Sequence, residues 1–312
     1  MDKNVDGVSN NNEMTKDLVS VVIPTYNRRN SVQRAILSVL NQTYSNFEIL
    51  VIDDGSTDDT ESVVKKMSDS RIYYYRQENQ GSQAARNHGI RLAKGVYIGF
   101  LDSDDEWLTE KLEKNVQYMK SHDADILFSQ FRRVETGYPD DIVPNDLEGG
   151  YVPVEILGNS FRVTTDVIFG RASTVKSHPF DMKVSRFQDY DFILSAAAAG
   201  EKVFFEKDIL VTQYHSENSI STKVKAQKLK NNALYLQNKH AHIASARLLL
   251  MQLQRNAMIE CGENVSEIAK EIYSVSGSKI DLLFLILAEL HFVGIFAPIW
   301  KSIKRLRRKY RK

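Results

Sequence analysis

The chain has 312 residues, enough for one large core or two domains, and its 42% hydrophobic and 26% charged content is that of a soluble globular protein. A single cysteine, Cys261, excludes an internal disulfide framework and a cysteine metal cage and suits a reducing compartment. The net charge of +1 hides two unlike parts: residues 301–312 (KSIKRLRRKYRK) hold eight Lys or Arg and no acid, while residues 1–300 carry −7.

Residues 1–17 are polar and asparagine-rich and are expected to form a disordered leader rather than a signal peptide. Strands and helices then alternate. Val19 to Ile23 reads as a strand stopped by Pro24, after which Asn30 or Ser31 caps a helix with Val32, Ala35, Ile36, Val39 and Leu40 at helical spacing. Phe47 to Ile52 is a second strand, closed by Asp53-Asp54-Gly55. Ser56 or Thr57 caps the next helix, with Asp58 and Asp59 in its first turn, where the helix dipole favours anions. Arg71 to Tyr75 is a third strand, and a helix from Gln83 to Ala93 leads into an apolar strand over Val96 to Leu101. Three βα units in a row predict a parallel, helix-covered sheet. Such sheets bind ligands outside the carboxyl ends of their strands. The polar clusters Thr25-Tyr26-Asn27, Asp53-Asp54 and Asp102-Ser103-Asp104 all fall there.

Further on, Trp107, Leu108, Leu112, Asn115, Val116 and Met119 mark one side of a helix, with Asp105 as a candidate cap for a start at Glu106. Residues 124–131 read as a strand, 132–160 as loop-rich, and 163–169 (VTTDVIF) as another strand. Residues 203–205 and 209–211 are two short strand candidates. From residue 223 the chain turns helical and basic or amphipathic. The expected organisation is a leader over 1–17, an α/β domain over 18–222 and a helical extension over 223–312.

The chemistry concentrates in Phe100 to Asp105 (FLDSDD). Asp102 and Asp104 are two apart, so in extended backbone they share a side, and like charges that close need a cation between them. Hard oxygen ligands favour Mg²⁺ or Mn²⁺, which complete their shells with substrate phosphates. A solvated acidic turn is the plainer reading; the place at a carboxyl strand end favours the ion. No G-x-G-x-x-G follows the first strand and no G-x-x-x-x-G-K-[ST] occurs anywhere. This argues against a dinucleotide dehydrogenase and a P-loop ATPase, and leaves neutralisation of any bound diphosphate mainly to a metal.

Six segments in order carry a resemblance. They are Val21 to Asn27 (VVIPTYN), Ile52 to Asp58 (IDDGSTD), Gly81 to Gly89 (GSQAARNHG), Phe100 to Asp105, Phe187 to Phe192 (FQDYDF) and Tyr214 to Ser221 (YHSENSIS). Together, over roughly residues 18–222, they resemble the family 2 glycosyltransferases of bacterial surface-polysaccharide type. The fold implied is GT-A: α/β, with a mostly parallel central sheet and flanking helices, here followed by a C-terminal helical extension. The resemblance implies nucleotide binding at Pro24, Thr25, Tyr26, Asn27, Asp53, Arg86, Asp102 and Ser103. It places the metal, Mn²⁺ or Mg²⁺, on Asp104 as the direct ligand with Asp102 and His215. It makes Asp189 the general base, although that residue also reads as a helix cap and Asp191 is an alternative base. Gln188 stands where the family more often has glutamate.

The implied reaction is inverting transfer from a nucleotide-diphosphate sugar, expected to be a UDP-sugar, to a hydroxyl of a growing surface glycan or lipid-linked glycan. A sugar nucleotidyltransferase is disfavoured because Tyr26-Asn27-Arg28-Arg29 lacks glycine; a silent scaffold in a synthase complex is disfavoured by the intact Asp102, Asp104 and Asp189. The apolar stretch Leu282 to Trp300 followed by the basic tail has the pattern of an interfacial anchor on anionic lipid. Glu289 and His291 argue against a spanning helix. Residues 281–312 are therefore expected at a membrane surface, and the protein peripheral on the inner face of the cell membrane. No nucleic-acid partner is expected, and a homo-oligomer is left open.

Overall fold

Strand β1 (Val19–Thr25) is buried along its whole length, as a parallel strand covered on both faces must be. The computed structural model describes residues 17–289 apart from 136, 138, 145–146, 159–162, 185 and 216–225, and not the side chains of His215 and Glu289. The leader, the basic tail and most of the 214–221 motif thus lie outside the described residues. β1 pairs in parallel with β2 (Phe47–Asp53) and β4 (Tyr97–Phe100), and β2 with β3 (Ile72–Arg76). The sheet continues as β3-β2-β1-β4-β9-β6-β10-β5. There β9 (Phe169–Arg171) runs antiparallel between β4 and β6 (Ile126–Glu135), and the long β10 (Val203–His215) lies parallel to β6. The short β5 (Glu106–Trp107) and β8 (Gly150–Tyr151) pair with β10, and β7 (Asp141–Val143) with β6.

The helices of the alternating half are α1 (Val32–Leu40), α2 (Thr60–Lys65) and α3 (Ser82–Leu92), followed by α4 (Lys111–His122). Helix α3 packs so closely on β1 that a Cβ at Gly89 would lie 2.4 Å from Val22 Cγ1, which is why glycine stands there. Two short helices, α5 (Val154–Leu157) and α6 (Ala172–Ser177), precede α7 (Gln188–Ala198). Four helices close the described chain: α8 (Ala226–Lys239), α9 (Ala244–Glu260), α10 (Ser266–Ser276) and α11 (Lys279–Glu289). Leu236 of α8 and Ala246 and Leu250 of α9 belong to the same core as the sheet, whereas Val265, Ala269 and Ala288 form a small second cluster.

Several local expectations are corrected. β1 runs through Pro24 to Thr25. Its pairing with β4 ends at Val22, so the missing Pro24 N–H costs no bond to that neighbour. The two short strands near 203–211 are one strand, β10, with register shifts between Glu206 and Val211. Residues 163–169 do not form a strand: Thr165–Val167 make a 3₁₀ turn, and extended backbone resumes at Phe169. Helix α2 begins at Thr60, later than a Ser56 or Thr57 cap would give. Asp105 caps nothing, since Glu106 and Trp107 are strand and α4 begins at Lys111.

Candidate active site

The carboxyl ends of β1, β2 and β4 lie together. Thr25 and Asp53 are register partners on adjacent strands, and Pro24 is buried beside them. Tyr26 leaves the sheet 47% exposed. Asn27 follows at φ +53°, a left-handed backbone that asparagine adopts more readily than most residues. Its side-chain oxygen accepts the Thr57 N–H at 2.8 Å, and its own N–H donates to Ser56 Oγ at 2.9 Å. The loop after β1 is thereby clasped to the loop after β2, and a cleft of about 450 Å³ lined by Asn27, Arg28, Thr57 and Asp58 opens there. Asp53 is fully buried. Its Oδ1 accepts the Ser56 N–H at 2.7 Å and its Oδ2 accepts the Tyr74 hydroxyl at 2.5 Å. Asp54 accepts the N–H groups of Gln80 and Gly81 and so fixes the entry to α3.

Residues 102–105 form a turn rather than extended backbone, the Asp105 N–H donating to the Asp102 carbonyl at 3.1 Å. Asp102 and Asp104 consequently take different cations. Asp102 accepts from Arg86 Nη2 at 2.5 Å, and Asp104 pairs with Arg28 at 2.9 Å. Arg34 of α1 braces this turn: it donates to the Asp104 carbonyl at 2.5 Å, pairs with Glu106 at 3.0 Å and lies over the Tyr214 ring. Beneath the turn sits Asp166, fully buried in the 3₁₀ segment, whose Oδ1 accepts the Asp102 N–H at 2.7 Å. Carboxylate oxygens of Asp102, Asp105 and Asp166 lie within 4.8 Å of one another. Burial, reinforced by Asp166, pushes the Asp105 carboxyl far above the usual carboxylate range, and burial, reinforced by Asp102, raises Asp166 as well. Asp104 is also pushed up, by burial first and by Asp102 second, with Arg28 partly offsetting both. Ser103 is buried in the turn.

These oxygens suit a hard divalent cation. Asp102 and Asp104 keep about a third of their side-chain surface exposed, whereas Asp105 and Asp166 are closed off. The first pair is thus the accessible one, and the second supports it from below. The His215 side chain lies outside the described residues.

Arg86 is 3% exposed, and its Nε and Nη1 make no hydrogen bond among the described residues. A buried guanidinium with two unused donor nitrogens beside the acidic turn is equipped to take an anion. The adjacent Asn87 exchanges two hydrogen bonds with the backbone of Phe180, at 2.8 and 2.9 Å, and Gln83 donates to the Val184 carbonyl at 2.5 Å. Helix α3 therefore holds the segment leading to Asp189. That residue lies in the first turn of α7, behind Phe187, whose φ of +64° costs roughly 1–2 kcal/mol in an aromatic residue. Burial pushes the Asp189 carboxyl up to about 6, against the pull of the Tyr190 N–H and Arg86. Asp191 turns away, its carboxylate taken by Lys239 at 2.8 Å and His240 at 2.7 Å, and is not available as a base.

Arg28, Arg34, Asp166, Tyr74, Lys239 and His240 were not evident as site residues in the sequence. Each acts on a partner at least 20 positions away, so no local pattern marks it.

The glycosyl transferase family 2 model matches residues 20–165. The putative teichuronic acid biosynthesis glycosyltransferase TuaG of Bacillus subtilis is 31% identical over 248 residues, 78% of this chain and 97% of that protein. The Escherichia coli enzyme WfaP, a UDP-Glc:alpha-D-GlcNAc-diphosphoundecaprenol beta-1,3-glucosyltransferase, is 40% identical over 116 residues, 37% of this chain and 46% of its own length. The chain spans only 22 to 32% of the length of the rickettsial glycosyltransferases it matches. Staphylococcus aureus TarS (residues 1–349), solved with UDP-GlcNAc, superposes with a TM-score of 0.67 at 18% identity, covering 94% of this chain and 93% of that one. The architecture is the GT-A fold, and the chain belongs to glycosyl transferase family 2.

Proposed function

We propose that this protein transfers a sugar from a UDP-sugar to a hydroxyl of a lipid-linked, growing surface glycan, with inversion at the anomeric carbon. The observation that carries the reading is the joining of three groups at one sheet edge: a buried cation with spare donors (Arg86), an accessible acidic pair (Asp102, Asp104) and a half-buried carboxyl (Asp189). The first two fit a nucleotide diphosphate, and the third fits a base. Asp53 and the Tyr26–Asn27 loop form the nucleoside side, with Pro24, Thr25 and Ser103 shaping it. Asp102 and Asp104, with His215 on the resemblance, are assigned to hold Mn²⁺ or Mg²⁺, which would supply Lewis-acid stabilisation of the departing diphosphate.

Asp189 accepts the acceptor hydroxyl's proton as that oxygen attacks the anomeric carbon. The bond from that carbon to the β-phosphate oxygen breaks, and its electron pair leaves on UDP. A carboxyl pushed up to about 6 is ionised at pH 7 yet basic enough for the proton. One displacement without a covalent intermediate inverts the centre. WfaP, named for a diphosphoundecaprenol-linked acceptor, and TuaG, named for putative teichuronic acid biosynthesis, support the acceptor class.

Among the described residues no helix is long and apolar enough to cross a membrane. Ile280, Leu283 and Ile286 of α11 are 42 to 53% exposed, and the sequence runs on through the mostly apolar residues 290–300 into eight cations. This supports seating on an anionic lipid surface. The test is UDP release from a panel of UDP-sugars with and without Mn²⁺, with the anomeric configuration of the product read by NMR. Turnover of one donor to a product of inverted configuration is expected; retention of configuration would overturn the mechanism. Flotation with phosphatidylglycerol vesicles should fall on removing residues 301–312, and unchanged flotation would remove the membrane assignment.

A further inference from the structure

The turn that carries Asp189 is gripped by a helix from the far end of the chain. Asn232 donates to the Arg186 carbonyl at 2.8 Å, three residues before Asp189. Two residues after it, the Asp191 carboxylate is 2% exposed and has both oxygens engaged from one side. Lys239 Nζ donates to Oδ2 at 2.8 Å, and His240 Nε2, which must carry its proton to meet a carboxylate, donates to Oδ1 at 2.7 Å. Lys239 also reaches Asp181 at 3.0 Å, where the Tyr235 hydroxyl donates at 2.8 Å. Asn232, Tyr235, Lys239 and His240 are spaced 3, 4 and 1 apart, so they form one stripe of α8 and its C-terminal end.

This arrangement does more than close the core. A carboxylate buried at Asp191 is unfavourable unless paired and hydrogen-bonded, so α8 and α7 cannot part without stranding it. Between the two grips lies Phe187 in its left-handed conformation, which persists only where surrounding contacts over-determine it. That conformation sets the direction in which α7 starts, and hence where its first-turn Asp189 points. Helix α3 holds the preceding segment through Asn87 and Gln83, but nothing from α3 reaches Asp191 in the bonds described.

We propose that Lys239 and His240 are positioning residues for the Asp189 carboxylate, acting through Asp191, so that α8 is a working part of the transfer site. This rests on the reading of Asp189 as the base. A carboxylate displaced by about 1 Å from a reacting hydroxyl loses on the order of 100-fold in rate, while the donor, held by the β1, β2 and β4 loops, binds as before.

The experiment uses the full-length protein with Mn²⁺ and the UDP-sugar that turns over, comparing UDP affinity by calorimetry with kcat for UDP release. Lys239→Met and His240→Leu should lower kcat about 10- to 100-fold with UDP affinity within twofold. Lys239→Arg and His240→Gln, which can still donate to Asp191, should stay within about threefold of wild type. In an Asp189→Asn background, Lys239→Met should lower the residual rate less than threefold further, as residues acting as a unit do. Full turnover in both Lys239→Met and His240→Leu while Asp189→Asn is inactive would overturn the positioning role alone. Full turnover by Asp189→Asn would overturn the base reading and the positioning role with it. If His240→Leu does not fold, the two variants of the partly exposed Lys239 decide: equal losses in Met and Arg variants would overturn the proposal.

Discussion

Asp189→Asn should inactivate the protein and at the same time stabilise it. Burial moves this carboxyl from 3.8 to about 6, and each pKa unit is worth about 1.4 kcal/mol, so ionising it in the folded protein costs up to about 3 kcal/mol. A carboxyl with a raised native pKa favours the fold while protonated, below pH 4, and that advantage is lost as the pH rises through 6. Above pH 6 the wild type therefore carries an unfavourable charge that the asparagine variant lacks. The asparagine oxygen can still accept the Tyr190 N–H, which Asp189 takes at 2.9 Å, so local geometry is kept. Unfolding of both proteins in urea, with chelator, from pH 4 to pH 8 measures the difference. It should be near zero at pH 4, grow between pH 4 and 6, and level off at about 1–3 kcal/mol in favour of the variant. The rate of UDP release by the wild type should rise over the same interval. A variant less stable than wild type at pH 8, or a pH-independent difference, would refute the assignment of a half-buried, costly carboxylate.

Gly89→Ala should destabilise by about 1–2 kcal/mol, the overpacking against Val22 exceeding the gain in helix propensity, and Val22→Ala in the same chain should recover part of the loss in urea unfolding. Asn27→Ala loses the Thr57 N–H bond and places alanine at positive φ; a cost of about 1–2 kcal/mol and weaker UDP binding are expected, while Asn27→Asp keeps the acceptor and most of the stability. Arg86→Met removes the cation from Asp102 and the spare donors from the anion site; UDP affinity by calorimetry should fall at least about tenfold, roughly 1.4 kcal/mol.

The parallel half of the fold was legible because its signals are local. Buried apolar runs end in Thr25, Asp53 and Asp102, and the helices between them keep helical spacing. What escaped was set by distant contacts. The β-branched run at 163–169 reads as strand by composition, yet Asp166 must fold inward to receive the Asp102 N–H, and a 3₁₀ turn results. Asp105 looked like a cap because acids favour helix starts; its role, bonded to Asp166 and to the Tyr214 N–H, depends on strands far away in sequence. The extended geometry expected for Asp102 and Asp104 gave way to a turn because Arg86 and Arg28, from two different elements, each draw one carboxylate. Asp191 reads from the sequence as an alternative base, but Lys239 and His240, 48 and 49 positions on, occupy its carboxylate.

The most direct test of the account pairs binding with turnover in three proteins: wild type, Asp104→Asn and Asp189→Asn, each titrated with UDP with and without Mn²⁺ and assayed for UDP release from UDP-sugars. Mn²⁺-dependent binding and turnover are expected in wild type, loss of both in Asp104→Asn, and binding without turnover in Asp189→Asn. No nucleotide binding by the wild type under either condition, or full turnover by Asp189→Asn, would contradict it.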